Sequence, residues 1–398
     1  MSSKKVYVKF FDGSQIGEGI YFFNMTFNAI MYLNLNNYSL KYAGNISAEK
    51  KSQKALSTGM NYRNKDIIYF FPNNTNVIMK FDVINKKDGT IPIKGYKKEI
   101  FRTIGYVYYQ NKIYIFPYEL EEGIFVLDLL TQKVYKDREL SKLFKSNLYC
   151  ASVFLIEDSI VLISISGSSK IIEIDIKNKK IIRKYELENN INIDNMCFDG
   201  THFWIMQRES TDIYEWDIRN NCLEKYENIN VVWDDQKYMN SSPYSRLIFL
   251  KDEILVLNCF LKNILKINKK NKTIENIVDF PKGFNLVNKR FAGWPVCNSF
   301  KIVGDKVLIY PSRGNMLLIY DINTKQLSGK ELFVLEKDVP YLNEVIEEIF
   351  LDKILHSESD ELETLCNFLD TIGQEYKKEQ EKNEQIIGNM IFNRMKVQ

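Results

Sequence analysis

The chain has 398 residues and a formal net charge of +3, and it is 45% hydrophobic, 13% aromatic and 26% charged. That apolar share excludes a largely disordered chain and is ample for a packed core. Met1 to Val8 hold no apolar stretch of the kind a secretory leader needs, and no run of about 18 apolar residues occurs, so a cytosolic, non-membrane protein is expected.

Tyr (24), Phe (25) and abundant Ile pack well on pleated, half-buried surfaces, so the bulk of the chain reads as sheet. The Lys, Asn and Ile bias is what an AT-rich coding sequence produces, so Asn-rich loops carry no functional weight. From the N-terminus, apolar runs begin at Ile20, Ile67, Ile113, Ile160, Phe203, Ile254 and Val307, spaced 47, 46, 47, 43, 51 and 53 residues. Polar turn residues follow in register at Asn36, Asp82, Asp128, Asp175, Asp217, Asn268 and Asp321. A repeat of this length points to stacked supersecondary units. The fourth repeat reads as four strands, at Val153–Ile156, Ile160–Ile163, Ile171–Asp175 and Ile181–Tyr185, joined by turns carrying Asp, Asn or Gly. Such an antiparallel unit cannot bury both faces alone, but a ring of them can. The expected fold is an all-β, seven-bladed β-propeller of four-stranded antiparallel blades over residues 1–340, followed by a C-terminal α-helical extension.

In the fifth repeat, Asp199-Gly200 precedes Phe203-Trp204-Ile205, and Tyr214-Glu215-Trp216-Asp217 follows. This strand pair resembles the Asp-Gly…Trp pattern of NHL-like and streptogramin-lyase-like propellers, and the resemblance implies the fold only. Kelch Gly-Gly pairs and the WD40 Gly-His signature are absent.

Two long connections account for the 51 and 53 residue spacings: Val231–Arg246, with Trp233 and Tyr244, and Phe280–Asn298, with Arg290 and Trp294. Loops of this length in a compact domain are commonly functional. In a propeller they share one face, around the axial channel, with the turns joining second and third strands, which carry Arg208-Glu209 and Arg313. We expect Arg208, Trp233, Arg246, Arg290, Trp294 and Arg313 to form a ligand-binding sector there. Arg supplies bidentate donors to carboxylates and Trp supplies stacking surface, a combination suited to a peptide or carboxylated small molecule. The same side chains could instead pair between blades and plug the channel.

Asp194, Glu209 and Tyr244 are the acid–base candidates if the pocket is that of a metal-free lyase, cyclase or isomerase. Cys150 and Cys297, at equivalent positions opening their repeats, are the nucleophile candidates, although neither has a neighbouring His to activate it. The six cysteines, Cys150, Cys197, Cys222, Cys259, Cys297 and Cys366, stand singly and read as reduced, mostly buried thiols. With only His202 and His356, no metal centre and no cofactor are expected, and only an oxygen-ligand site for Ca²⁺ or Mg²⁺ stays open. His202 is expected on the face opposite the long loops. Nucleic-acid binding is not expected, because no arginine-rich or aromatic-basic run occurs.

After Pro340 the period becomes helical: Leu342, Val345, Ile346, Ile349, Phe350 and Ile354 form one stripe and Leu362, Leu365, Cys366, Leu369 and Ile372 a second. Residues 341–398 carry a net charge of −7, leaving +10 for the rest. These amphipathic helices are expected either to pack on the propeller or to mediate self-association or docking of a protein partner.

Overall fold

A computed structural model of the chain describes residues 5–345 apart from 97, 99, 145–146, 189–190, 227–241, 260–261, 272 and 287–294. Seven four-stranded antiparallel sheets follow one another along the chain, each with its strands in sequence order. The innermost strands are Gly13–Ile16, Ser57–Asn64, Thr103–Tyr109, Cys150–Glu157, Ile193–Phe198, Tyr244–Phe249 and Cys297–Val303, which lie against one another around the axis. The chain is therefore a seven-bladed β-propeller. Every apolar run read from the sequence opens the second strand of its blade to within one residue.

The turns show why Asp and Asn recur. Asp82, Asp128, Asp175, Asp217, Asn268 and Asp321 each end a third strand, and their side-chain oxygens accept amide hydrogen bonds from residues two or three further on. These Asx turns reverse the chain without a partner strand. The amides of Asn85 and Thr324 hold the Asp82 and Asp321 carboxyls below their ordinary range. Four residues after the Asp, Lys86, Gln132, Lys179, Asn221 and Lys325 take positive φ, closing the turn into the fourth strand. Blade one differs from the expectation by two residues: Asn34, not Asn36, accepts the turn amides, because Asn34 is the residue that ends the third strand, Ile30–Asn34.

Apolar clusters fill the seam between each pair of successive blades. Blade-five Trp216, fully buried, packs edge-on to Tyr185 of blade four. In the seam that closes the ring, Lys5–Tyr7 pairs antiparallel with Phe333–Leu335. Val8, Phe10, Leu332 and Val339 are buried beside this ribbon. Leu342 and Val345, which begin the first helical stripe of the sequence, are buried in the same seam, and Tyr341 Oη donates to the Asn28 carbonyl. The remainder of the expected helical extension, residues 346–398, lies outside the described residues. Among the described residues no helix is long and apolar enough to cross a membrane.

Around the axis a belt of hydrogen bonds joins the innermost strands. Ser14 Oγ donates to Asn61 Oδ1, and Tyr106 Oη donates to the Asn61 carbonyl at 2.6 Å. Ser152 Oγ donates to Asn195 Oδ1 at 3.0 Å, Asn195 Nδ2 to the Ser245 carbonyl at 3.3 Å, and Ser245 Oγ to the Cys297 carbonyl at 2.6 Å. Lys301 Nζ closes the circle on the Gly13 carbonyl at 3.2 Å. Between blades three and four contact takes over: a Cβ on Gly105 would stand 2.7 Å from Val153 Cβ, so only glycine lets these strands approach.

Candidate functional site

The loops entering the innermost strands and the turns joining second to third strands lie on one face of the ring, termed the entry face. Just inside it the innermost strands of blades three to seven each bulge by one residue, at Ile104, Ala151, Asp194, Ser245 and Asn298. A bulge re-aims side chains at a rim. Blades five to seven place polar residues at these bulges and blades three and four place apolar ones.

Within that sector Arg208 Nε donates to Asp194 Oδ1 at 3.0 Å and its Nη2 to Ser166 Oγ of blade four at 2.9 Å. Arg208 is thereby a strut between two blades. Arg246 stands differently. It lies on the innermost strand of blade six, part-exposed, and its charge reaches Asp12 of blade one, Cys197 of blade five and Cys259 of blade six. Among the described residues none accepts a hydrogen bond from it. Arg313 is buried at the blade-seven turn, and its charge reaches Lys9. Trp233, Arg290 and Trp294 lie outside the described residues.

Two groups that the sequence reading passed over stand at this centre. Asp12 leads into the first innermost strand, and its Oδ1 accepts the Gly13 amide at 2.7 Å. Burial pushes its carboxyl up to about 6, against the pull of that amide, Lys301 and Arg246. Lys9 is buried, and burial together with Arg313 brings its ammonium down to about 7. Perturbed groups of this kind concentrate at functional sites. Lys9 and Asp12 belong to a lead-in with no turn signal of its own, so the repeat pattern does not single them out.

The remaining candidates do not reach the channel. Glu209 points to solvent from a positive-φ turn position. Tyr244 is buried in the seam between blades five and six, and its hydroxyl has no hydrogen-bond partner among the described residues. Cys150 and Cys297 do open their strands, but their thiols are packed in seams, because the bulge falls at the following residue and the cysteine keeps the inward direction. Burial holds both thiols, and that of Cys259, far above the ordinary value. Thiolate, not thiol, reacts with alkylating agents. Iodoacetamide treatment of the native protein followed by peptide mass mapping is therefore expected to modify exposed Cys222 and to leave Cys150, Cys259 and Cys297 intact. Labelling of Cys297 as fast as Cys222 would place its thiol at the channel mouth instead.

His202 lies, as expected, on the opposite face, in the hairpin between the first and second strands of blade five.

Fold and channel together define the class, a seven-bladed propeller protein with a charged axial channel. A streptogramin B lyase structure superposes with a TM-score of 0.55 at 14% identity, over 83% of this chain and 96% of that one. The extracellular domain of a hybrid two-component system from B. thetaiotaomicron superposes with a TM-score of 0.50 at 12% identity, over 77% of this chain and 39% of that one. At these identities the likeness is one of fold, and it agrees with the resemblance carried by blade five. No protein-family profile and no curated protein sequence matches the chain.

Proposed function

We propose that the entry face binds a carboxylated ligand, either an extended peptide or an acidic small molecule, with Arg246 as its anchor. The observation that carries this reading is the state of Arg246. Arg208 and Lys301 are committed to blade-to-blade bonds, whereas Arg246 stands at the axis with its guanidinium unbonded among the described residues. A guanidinium in that position offers two parallel donors to a carboxylate.

Arg246→Ala is expected to weaken ligand binding about tenfold or more, with Arg246→Lys in between. The protein would be isolated from its own host and its retained ligand identified by mass spectrometry. Affinity for that ligand would then be measured in both variants. An empty protein, or a ligand held equally well by Arg246→Ala, would overturn the reading.

One observation favours a second reading, a metal-free lyase, cyclase or isomerase in the same channel. Asp12, with its carboxyl at about 6 beside Arg246, has the proton affinity that acid–base catalysis near neutrality requires. Under this reading Asp12→Asn abolishes turnover of the retained ligand while the variant still binds it.

A further inference from the structure

On the face opposite the entry, blade five brings together three metal-ligating side chains from two elements. Asp199 and His202 come from the hairpin between the first and second strands, and Glu215 comes from the third strand, Ile213–Asp217. One ligand atom of each lies within 4.8 Å of the others. We propose that Asp199, His202 and Glu215 form a binding site for a borderline divalent transition-metal ion of the Zn²⁺ type.

The pairing of strands accounts for the meeting. Phe203 is the register partner of Trp216, which sets the hairpin ahead of Phe203 beside the end of the third strand. His202 Nδ1 then stands 3.1 Å from Glu215 Oε1. That spacing is close to the edge of a tetrahedron with metal–ligand bonds of about 2.0 to 2.2 Å, so the ion enters with small side-chain rotations. His202 is 36% exposed and Glu215 17%, and His202 Nδ1 also lies 3.2 Å from Thr201 Oγ1.

Both carboxylates are oriented from behind by donors belonging to the blade. Trp204 Nε1 donates to Asp199 Oδ2 at 2.9 Å, and Tyr226 Oη donates to Glu215 Oε2 at 2.7 Å. Asp199 Oδ1 also accepts the amides of Thr201 and His202 and the Thr201 hydroxyl, each at 2.8 Å. Outer partners that hold a ligating carboxylate in place are characteristic of built metal sites.

The surroundings point to a cation as well. The three side chains line a cleft of about 700 Å³ that also contains Asp217, Glu224 and Lys269. The cleft lining is thus rich in carboxylates, which favours cations over anions there. The imidazole selects among them: Mg²⁺ and Ca²⁺ favour oxygen ligands alone, while Zn²⁺ accepts nitrogen and oxygen together. Three protein ligands leave a fourth position open toward the cleft, where water or a ligand's Lewis-basic atom completes the tetrahedron.

The test is equilibrium dialysis of the full-length, chelator-stripped protein against micromolar free Zn²⁺, with metal analysis. One equivalent is expected to bind. His202→Gln and Glu215→Gln are each expected to weaken binding at least about tenfold, and Asp217→Asn, which changes the cleft's charge but none of the three ligands, is expected to retain the equivalent. Co²⁺ is expected to give a visible absorption spectrum that His202→Gln abolishes. If the Glu215 variant fails to fold because its bond to Tyr226 is altered, His202→Gln, at a part-exposed turn, decides alone. No stoichiometric uptake, or uptake unchanged in His202→Gln, overturns the proposal.

Discussion

Glu253→Ala is expected to remove about 3 to 5 kcal/mol of folding stability, the loss typical of breaking a buried charge cluster by taking out one partner. Glu253 opens the second strand of blade six. Its Oε1 accepts from Tyr320 Oη of blade seven at 2.6 Å, and its Oε2 lies 3.2 Å from Lys266 Nζ and 3.4 Å from Lys325 Nζ. The Glu253 and Lys266 side chains are each 6% exposed, so truncation would strand a buried ammonium and a tyrosine hydroxyl together. Burial alone would push the Glu253 carboxyl up, but the hydrogen bond from Tyr320 and the ion pairs with Lys266 and Lys325 outweigh it and hold the carboxyl below its ordinary 4.5. A depressed folded-state value contributes stability that is present above the unfolded value and lost as pH falls through the folded one. Urea unfolding midpoints of the wild type should therefore fall faster than those of Glu253→Gln below about pH 4.5. Equal midpoints for wild type and Glu253→Ala at neutral pH would show that the cluster does not hold blades six and seven together.

This cluster also shows which part of the fold the sequence makes legible and which part it hides. Within a blade, neighbours are close in sequence and leave local marks. Second and third strands, buried on both faces, read as apolar runs such as Ile254–Leu257, and the reversal after each third strand needs an Asx side chain, so Asp or Asn recurs with the repeat. Between blades the partners are about one repeat apart or more, as with Glu253 and Tyr320 at 67 residues, and nothing local marks them. The belt uses Ser14, Asn61, Tyr106, Ser152, Asn195, Ser245 and Lys301, a mixture of types with no flanking turn signal to mark them.

The candidate site divides along the same line. Long loops and arginines draw attention to blades five to seven in the sequence, and their placement there as a binding sector stays a proposal. The roles of individual residues were not legible, because a register shift of one residue decides whether Asp194 pairs with Arg208 and whether Cys297 faces a seam. The bulge residues Ile104, Ala151, Asp194, Ser245 and Asn298 have no chemistry in common, so the shift has no sequence signature. His202 had looked isolated because its companion Glu215 is reached through strand pairing across 13 residues, a separation that no metal-ligand spacing motif describes.

Asp12→Asn is expected to stabilise the protein by about 2 to 3 kcal/mol at pH 8, with the gain vanishing below about pH 4. The Asp12 carboxyl is raised from 3.8 to about 6, so between those values the folded state binds more protons than the unfolded one. Stability contributed by this group therefore falls as pH rises through that window, and above about 6 the ionised carboxylate carries its full cost of burial. Asparagine keeps an oxygen for the Gly13 amide and removes the charge. The same titration governs the proposed ligand: below about pH 6 a neutral Asp12 leaves Lys301 and Arg246 uncompensated, so a carboxylated ligand should bind more tightly as pH falls from 7 to 5, and Asp12→Asn should bind it tightly throughout. Unfolding curves and binding isotherms over that range measure both effects on the same samples. A variant less stable than wild type at pH 8 would instead make Asp12 the counter-ion that holds the channel's cations in place. A variant that gains stability and loses the pH dependence of binding would identify a carboxylate retained at the expense of stability, as residues kept for function are.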